Sequence, residues 1–122
     1  MQETCAAADG NLVPALPAHH APAAPVHALV FASEFHLSSS RSSAPAGRLV
    51  IQLANQGEDA HDLSVRRDGG SNVLGTTGEV AHGRLGQLRL TLRPGRYVFF
   101  CAAPGHEALG MRTVLSVKAP RS

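Results

Sequence analysis

The stretch LRLTLRPGRYVFFC, Leu88 to Cys101, decides the architecture. Leu88, Leu90 and Leu92 alternate with Arg89, Thr91 and Arg93, the period of two that a strand with one buried and one wet face requires. Pro94-Gly95 then interrupts the run with a tight-turn pair, proline presetting φ and glycine tolerating backbone angles that side chains resist. Beyond the turn, Tyr97, Phe99 and Cys101 share one face of a second strand.

The same period extends outward in both directions. Leu49, Ile51 and Leu53 share a face and stop at the turn-like Asn55-Gln56-Gly57. His61, Leu63 and Val65 follow on one face, ended by Asp68-Gly69-Gly70, and near the carboxyl end Met111, Leu115 and Val117 do the same. In the first segment, Leu29, Phe31, Phe35 and Leu37 share a parity that predicts an inward face. No segment holds a helical period over three turns. Six or more short strands with Gly/Pro punctuation between residues 27 and 122 predict an all-β domain, an antiparallel Greek-key β-sandwich. Residues 1–26 are rich in Ala, with Pro14, Pro17, Pro22 and Pro25 spaced against any persistent element, and read as a flexible tail. The adjacent His19 and His20 in that tail read as a solvated pair.

Bulk composition narrows the classes of function. A chain of 122 residues with 43% hydrophobic content supports one core. Its apolar runs fall far short of the ~20 residues of a membrane span, which predicts no integral membrane segment. The net charge is +2, and Arg66-Arg67 is the one adjacent basic pair, too sparse a footprint for nucleic acid. The amino terminus, Met1 to Cys5, shows neither the basic nor the apolar region of an export signal. No Gly-x-Ser-x-Gly elbow marks a hydrolase.

Chemistry concentrates on one loop. Tyr97 to Met111 contains Cys-x4-His-x4-Met: Cys101, His106 and Met111. An electron-transfer copper site wants one thiolate and two imidazoles near a plane with a weak thioether above it, sulfur suiting Cu(I) and nitrogen suiting both oxidation states. Three of those groups stand on this loop. Parity turns Cys101 inward with Tyr97 and Phe99, and Met111 inward with Leu115 and Val117. The second imidazole has to face the same interior from another strand. His61, in phase with Leu63 and Val65, meets that demand. His27, His36 and His82 read as surface or satisfied core residues, and Cys5 as a free thiol in the tail, with no disulfide to Cys101.

With these residues in place, the chain resembles the cupredoxins, the plastocyanin/azurin-like type 1 blue copper proteins. The resemblance spans about residues 27–122 and rests on Asn55-x-Gly57, His61-Asp62-Leu63, Leu92-x-Pro94-Gly95-x-Tyr97-x-Phe99-x-Cys101, and Pro104-Gly105-His106 through Gly110-Met111. The loop spacing is similar to that of rusticyanin and auracyanin. The resemblance implies one type 1 copper ion with His61, Cys101 and His106 as equatorial ligands and Met111 as the axial one. It implies single-electron transfer, an extracytoplasmic or periplasmic location, a monomer, and redox partner proteins that dock transiently on the apolar surface around His106 (Ala102, Ala103, Pro104 and Leu109). Family members usually carry Asn directly after the first histidine, hydrogen-bonded across to the cysteine loop. Here that residue is Asp62, which puts the tuning of the metal in question.

Two other classes stand beside this reading. A copper carrier or buffer on the same fold would use identical ligands. An enzyme of the multicopper type would need further histidines, often as His-x-His, and the chain has no such pair. We therefore expect no enzymatic activity. A zinc-bound or metal-free sandwich is the third possibility.

Overall fold

The computed structural model describes residues 24–119. The tail expected over residues 1–26 lies outside them as far as residue 23, with Cys5, His19 and His20. Among the described residues there is no helix, and nine strands form two sheets. The strands are β1 (Val26–Ser33), β2 (His36–Ser39), β3 (Ser43–Pro45), β4 (Gly47–Asn55), β5 (Ser64–Arg67), β6 (Val73–Thr76), β7 (Leu85–Leu92), β8 (Gly95–Phe100) and β9 (Arg112–Lys118). One sheet runs β2-β1-β4-β7 and the other β3-β9-β8-β5-β6.

The inward residues of the alternating runs meet between the sheets. Leu49, Ile51 and Leu53 of β4 pack with Tyr97 and Phe99 of β8, Leu63 and Val65 around β5, and Leu115 and Val117 of β9 in one apolar core. Val98 and Phe100, on the opposite face of β8, are buried too, Phe100 beneath the Arg66 guanidinium 4.3 Å from its ring centroid. The Tyr97 hydroxyl is satisfied: it donates to the Arg93 carbonyl (2.7 Å) and accepts from Arg67 Nη1 (3.1 Å).

Two features differ from expectation. The ladders are mainly antiparallel, but β1 pairs with β4 and β3 with β9 in parallel. The chain leaves the first sheet after β2, adds β3 to the edge of the second, and returns as β4, so β4 enters beside β1 in the same direction. The face of β1 is also reversed. Ala28, Val30 and Ala32 are buried, while Leu29 and Phe31 are half-buried on the outer side and Phe35 is exposed. Register explains this. Ala28 lies beside Ile51 and Val30 beside Leu53, and residues so paired project to one side, so the inward face of β4 carries the small residues of β1 inward with it.

The parallel pairing has a consequence for function. Because β1 runs with β4, the β1–β2 turn (Glu34-Phe35) reaches the same end of the sandwich as the segment following β4. The Gln56 N–H donates to the Ala32 carbonyl there at 2.7 Å. The β8–β9 loop opens at that end as well.

Candidate metal centre

His61 lies in the connection from β4 to β5. It is held by a two-way bridge to Val80, its N–H donating to the Val80 carbonyl (3.1 Å) and its carbonyl accepting from the Val80 N–H (2.8 Å). The strand expected from His61 therefore starts later, at Ser64, while the predicted inward direction of His61 holds. Asn55 shapes the preceding loop. Its Oδ1 accepts from the Gly57 N–H (2.9 Å), and its Nδ2 donates to the carbonyls of Asp59 (2.9 Å) and Val80 (2.8 Å).

Cys101 follows the last residue of β8, and its N–H donates to the Met111 carbonyl (3.1 Å), which closes the base of the 102–110 loop. The loop is bonded to itself: His106 N–H to Ala103 O, Leu109 N–H to Gly105 O and His106 O, and Met111 N–H to His106 O (3.1 Å). Glu107 ties it to the sheet. The Arg66 guanidinium takes both carboxylate oxygens (3.0 and 2.6 Å), and Arg112 adds a contact at 3.4 Å. The hydrogen bonds from Arg66 hold the Glu107 carboxyl below the ordinary carboxylate range. Glu107→Gln removes this clamp. A half-exposed bidentate pair is worth about 1 kcal/mol, so the variant should lose roughly that in denaturant unfolding and give up its metal faster to a chelator; a wild-type loss rate would show that the loop needs no clamp.

The ligating atoms of His61, Cys101 and His106 all lie within 4.8 Å of one another. That is the scale on which one ion with bonds of ~2.0–2.3 Å joins three ligands. Cys101 Sγ and His106 Nδ1 are 3.6 Å apart, and the two imidazole rings are 5.2 Å apart between centroids. His61 is fully buried and Cys101 nearly so, while His106 is half-buried at the rim. Met111 is fully buried and joined through its backbone to both Cys101 and His106. Neither ring nitrogen of His61 has a hydrogen bond. A buried polar atom without a partner costs ~1–3 kcal/mol, and a metal ion shared with Cys101 and His106 would satisfy one of the two. The residues present thus fit a soft-donor metal such as copper.

Asp62 occupies the position where the resemblance leads one to expect Asn, and it makes the expected cross-link. Its Oδ1 accepts the Ala102 N–H at 2.8 Å and the Ser64 hydroxyl at 3.2 Å. The link carries a carboxylate in place of an amide, one residue from each of His61 and Cys101. Two residues that sequence reading missed also stand at the site. The Phe35 ring meets His106 edge-on, centroids 5.4 Å apart, from a backbone at φ 60°, a strained setting for an aromatic residue. Its carbonyl lies 3.1 Å from where a Cβ on Gly110 would sit, so glycine with φ 118° lets the loop approach the turn. Glu34 places Oε1 3.5 Å from His61 Nε2. Among the described residues the other histidines stand outside this group: His27, His36 and His82 are exposed, and His82 Nδ1 donates to the Gly57 carbonyl.

Comparison with known proteins agrees with this geometry. A family model for copper binding proteins of the plastocyanin/azurin family matches residues 18–118. No curated protein matches the chain in sequence. Among solved structures, the dithionite-reduced auracyanin of the photosynthetic bacterium Roseiflexus castenholzii is similar at 20% identity and a TM-score of 0.63, covering 80% of this chain and 99% of its own. Auracyanin A, a blue copper protein of Chloroflexus aurantiacus, is similar at 17% and 0.64, covering 78% and 100%. An azurin of the methylotroph Methylomonas sp. strain J is similar at 14% and 0.63, covering 80% and 100%.

Proposed function

The chain belongs to the plastocyanin/azurin family of copper-binding proteins, and on that premise we propose that it carries single electrons between redox partners through one type 1 copper ion. Its ligands are His61, Cys101, His106 and Met111. The observation that carries the reading is the convergence of two imidazoles and one thiol within 4.8 Å at the end of a closed sandwich. Bound there, copper supplies a one-electron couple whose two states suit the same mixed sulfur and nitrogen ligands.

The chain's own residues supply the rest. Cys101 gives up its proton to bind as thiolate. The self-bonded 102–110 loop and its Arg66–Glu107 clamp fix where His106 and Met111 stand, so little has to rearrange when the electron moves. Burial of His61, Cys101 and Met111 keeps water off three ligands and leaves His106 at the surface as the port. Four protein ligands leave no open position for a substrate, which supports a carrier over an enzyme. Family membership also supports an extracytoplasmic setting for this carrier, acting as a monomer.

Leu109, 61% exposed and bonded through its N–H to the Gly105 and His106 carbonyls, gives partners a small apolar patch beside His106 for brief encounters. In the test, purified protein loaded with Cu(II) turns intensely blue and shows a reversible one-electron couple with fast self-exchange. Leu109→Glu then slows exchange at least severalfold with the colour unchanged. A colourless protein, or one that hands copper rather than electrons to an acceptor, would defeat the reading.

A further inference from the structure

Glu34 has no reason in the apolar pattern to be where it is. It sits in the two-residue turn between β1 and β2, and the parallel pairing of β1 with β4 brings that turn against the loop that carries His61. Its Oε1 accepts the backbone N–H groups of Glu58 and of Asp59 (3.1 Å), so the carboxylate is pinned by the loop it faces. The same oxygen lies 3.5 Å from His61 Nε2. His61 is completely buried, and Nε2 has no hydrogen bond, so this carboxylate is the charged group on its doorstep.

Gly57 makes the approach possible. A Cβ there would stand 2.2 Å from Glu34 Oε1 and 3.0 Å from His61 Nε2, so any side chain would occupy the space through which carboxylate and imidazole meet. Gly57 is itself placed by Asn55 through the 2.9 Å bond to its N–H. Three features of the loop (its amides, its glycine and its buried asparagine) thus converge on one carboxylate–imidazole pair.

We infer that Glu34 is the positioning residue of the site: its carboxylate accepts the Nε2–H of His61, fixes that tautomer, and leaves Nδ1 for the metal. The inference rests on the copper reading above. A ligating histidine whose second nitrogen donates to a carboxylate becomes a stronger electron donor to its metal. The added negative charge favours Cu(II) over Cu(I), so Glu34 holds the reduction potential down. Water reaches the carboxylate, whose side chain is 37% exposed, which keeps the effect moderate.

Two measurements test this. In the copper-loaded protein, Glu34→Gln removes the charge at constant size. The Cu(II)/Cu(I) ratio at a fixed electrode poise should fall about tenfold, equivalent to a potential rise of about 59 mV. Gly57→Ala, which displaces the carboxylate without altering it, should shift the ratio in the same direction. In the metal-free protein, nitrogen NMR should show His61 as the Nε2–H tautomer with a slowly exchanging proton, and Glu34→Ala should speed that exchange. A blue Glu34→Gln variant with an unshifted ratio would overturn the inference while leaving the copper site standing. An Nδ1–H tautomer in the metal-free wild type would overturn it as well. If the wild type took up no copper, the copper reading would fall, and the tautomer would still decide the pairing.

Discussion

Cys101→Ser turns a blue protein colourless and leaves it folded. The colour of a type 1 site is a transfer of charge from thiolate sulfur to Cu(II), and a serine oxygen has no electron pair at comparable energy to give. The site keeps His61 and His106, so copper still binds, but weakly, with the broad and pale spectrum of nitrogen and oxygen ligands. The fold survives because the exchange is nearly isosteric. Cys101 is 1% exposed, and a hydroxyl buried there without a partner would cost ~1–3 kcal/mol. His106 Nδ1, 3.6 Å from the present sulfur, is within reach as that partner. Visible absorption and electron paramagnetic resonance on the copper-loaded variant, with circular dichroism for the fold, check the outcome. A variant that kept the intense band would remove Cys101 from the site.

The position of that cysteine was legible because two independent patterns coincide on it. Alternation from Tyr97 turns its side chain inward, and the loop spacing brings His106 back to it. His61 could be chosen among seven histidines for the same reason, since inward parity with Leu63 and Val65 survives even though His61 itself stands outside the strand. Parity failed in β1, where both faces carry apolar residues. With Ala28, Val30 and Ala32 on one side and Leu29 and Phe31 on the other, alternation fits either face, and only register against Ile51 and Leu53 settles it. The same long-range pairing hid Glu34 and Phe35. Neither has a sequence neighbour in the site, and both arrive through a parallel contact whose partners lie more than twenty residues apart. Asp62 was visible as a departure from a family habit. That its carboxylate would still accept the Ala102 amide is a matter of geometry: β5 and β8 pair Ser64 with Phe100, and continuing that antiparallel register places Asp62 opposite Ala102.

Phe99→Ala carries the largest expected cost in stability, and bound metal should offset most of it. Phe99 is fully buried in β8, between Val65 of β5 and Thr113 of β9, with its ring in the core two residues before Cys101. Truncating a buried Phe to Ala costs ~3–5 kcal/mol through lost transfer energy and the cavity left behind. Set against a total of ~5–15 kcal/mol for a domain, that removes a large fraction of the metal-free protein's stability. Copper binds the folded site far better than the unfolded chain, whose ligands are scattered. An excess of 1,000 times the dissociation constant adds about 4.1 kcal/mol, nearly cancelling the loss. The metal-free variant should therefore unfold at much lower denaturant concentration than metal-free wild type, while the copper-loaded variant returns close to the metal-free wild-type midpoint. Leu109→Ala, on the exposed rim, should stay within about 0.5 kcal/mol in the metal-free form and serves as the control. Denaturant midpoints with and without copper measure all of these. Midpoints that copper left unmoved would mean that folding and metal binding at this end of the sandwich are not coupled, because a site assembled only in the folded state has to return its binding energy to the fold.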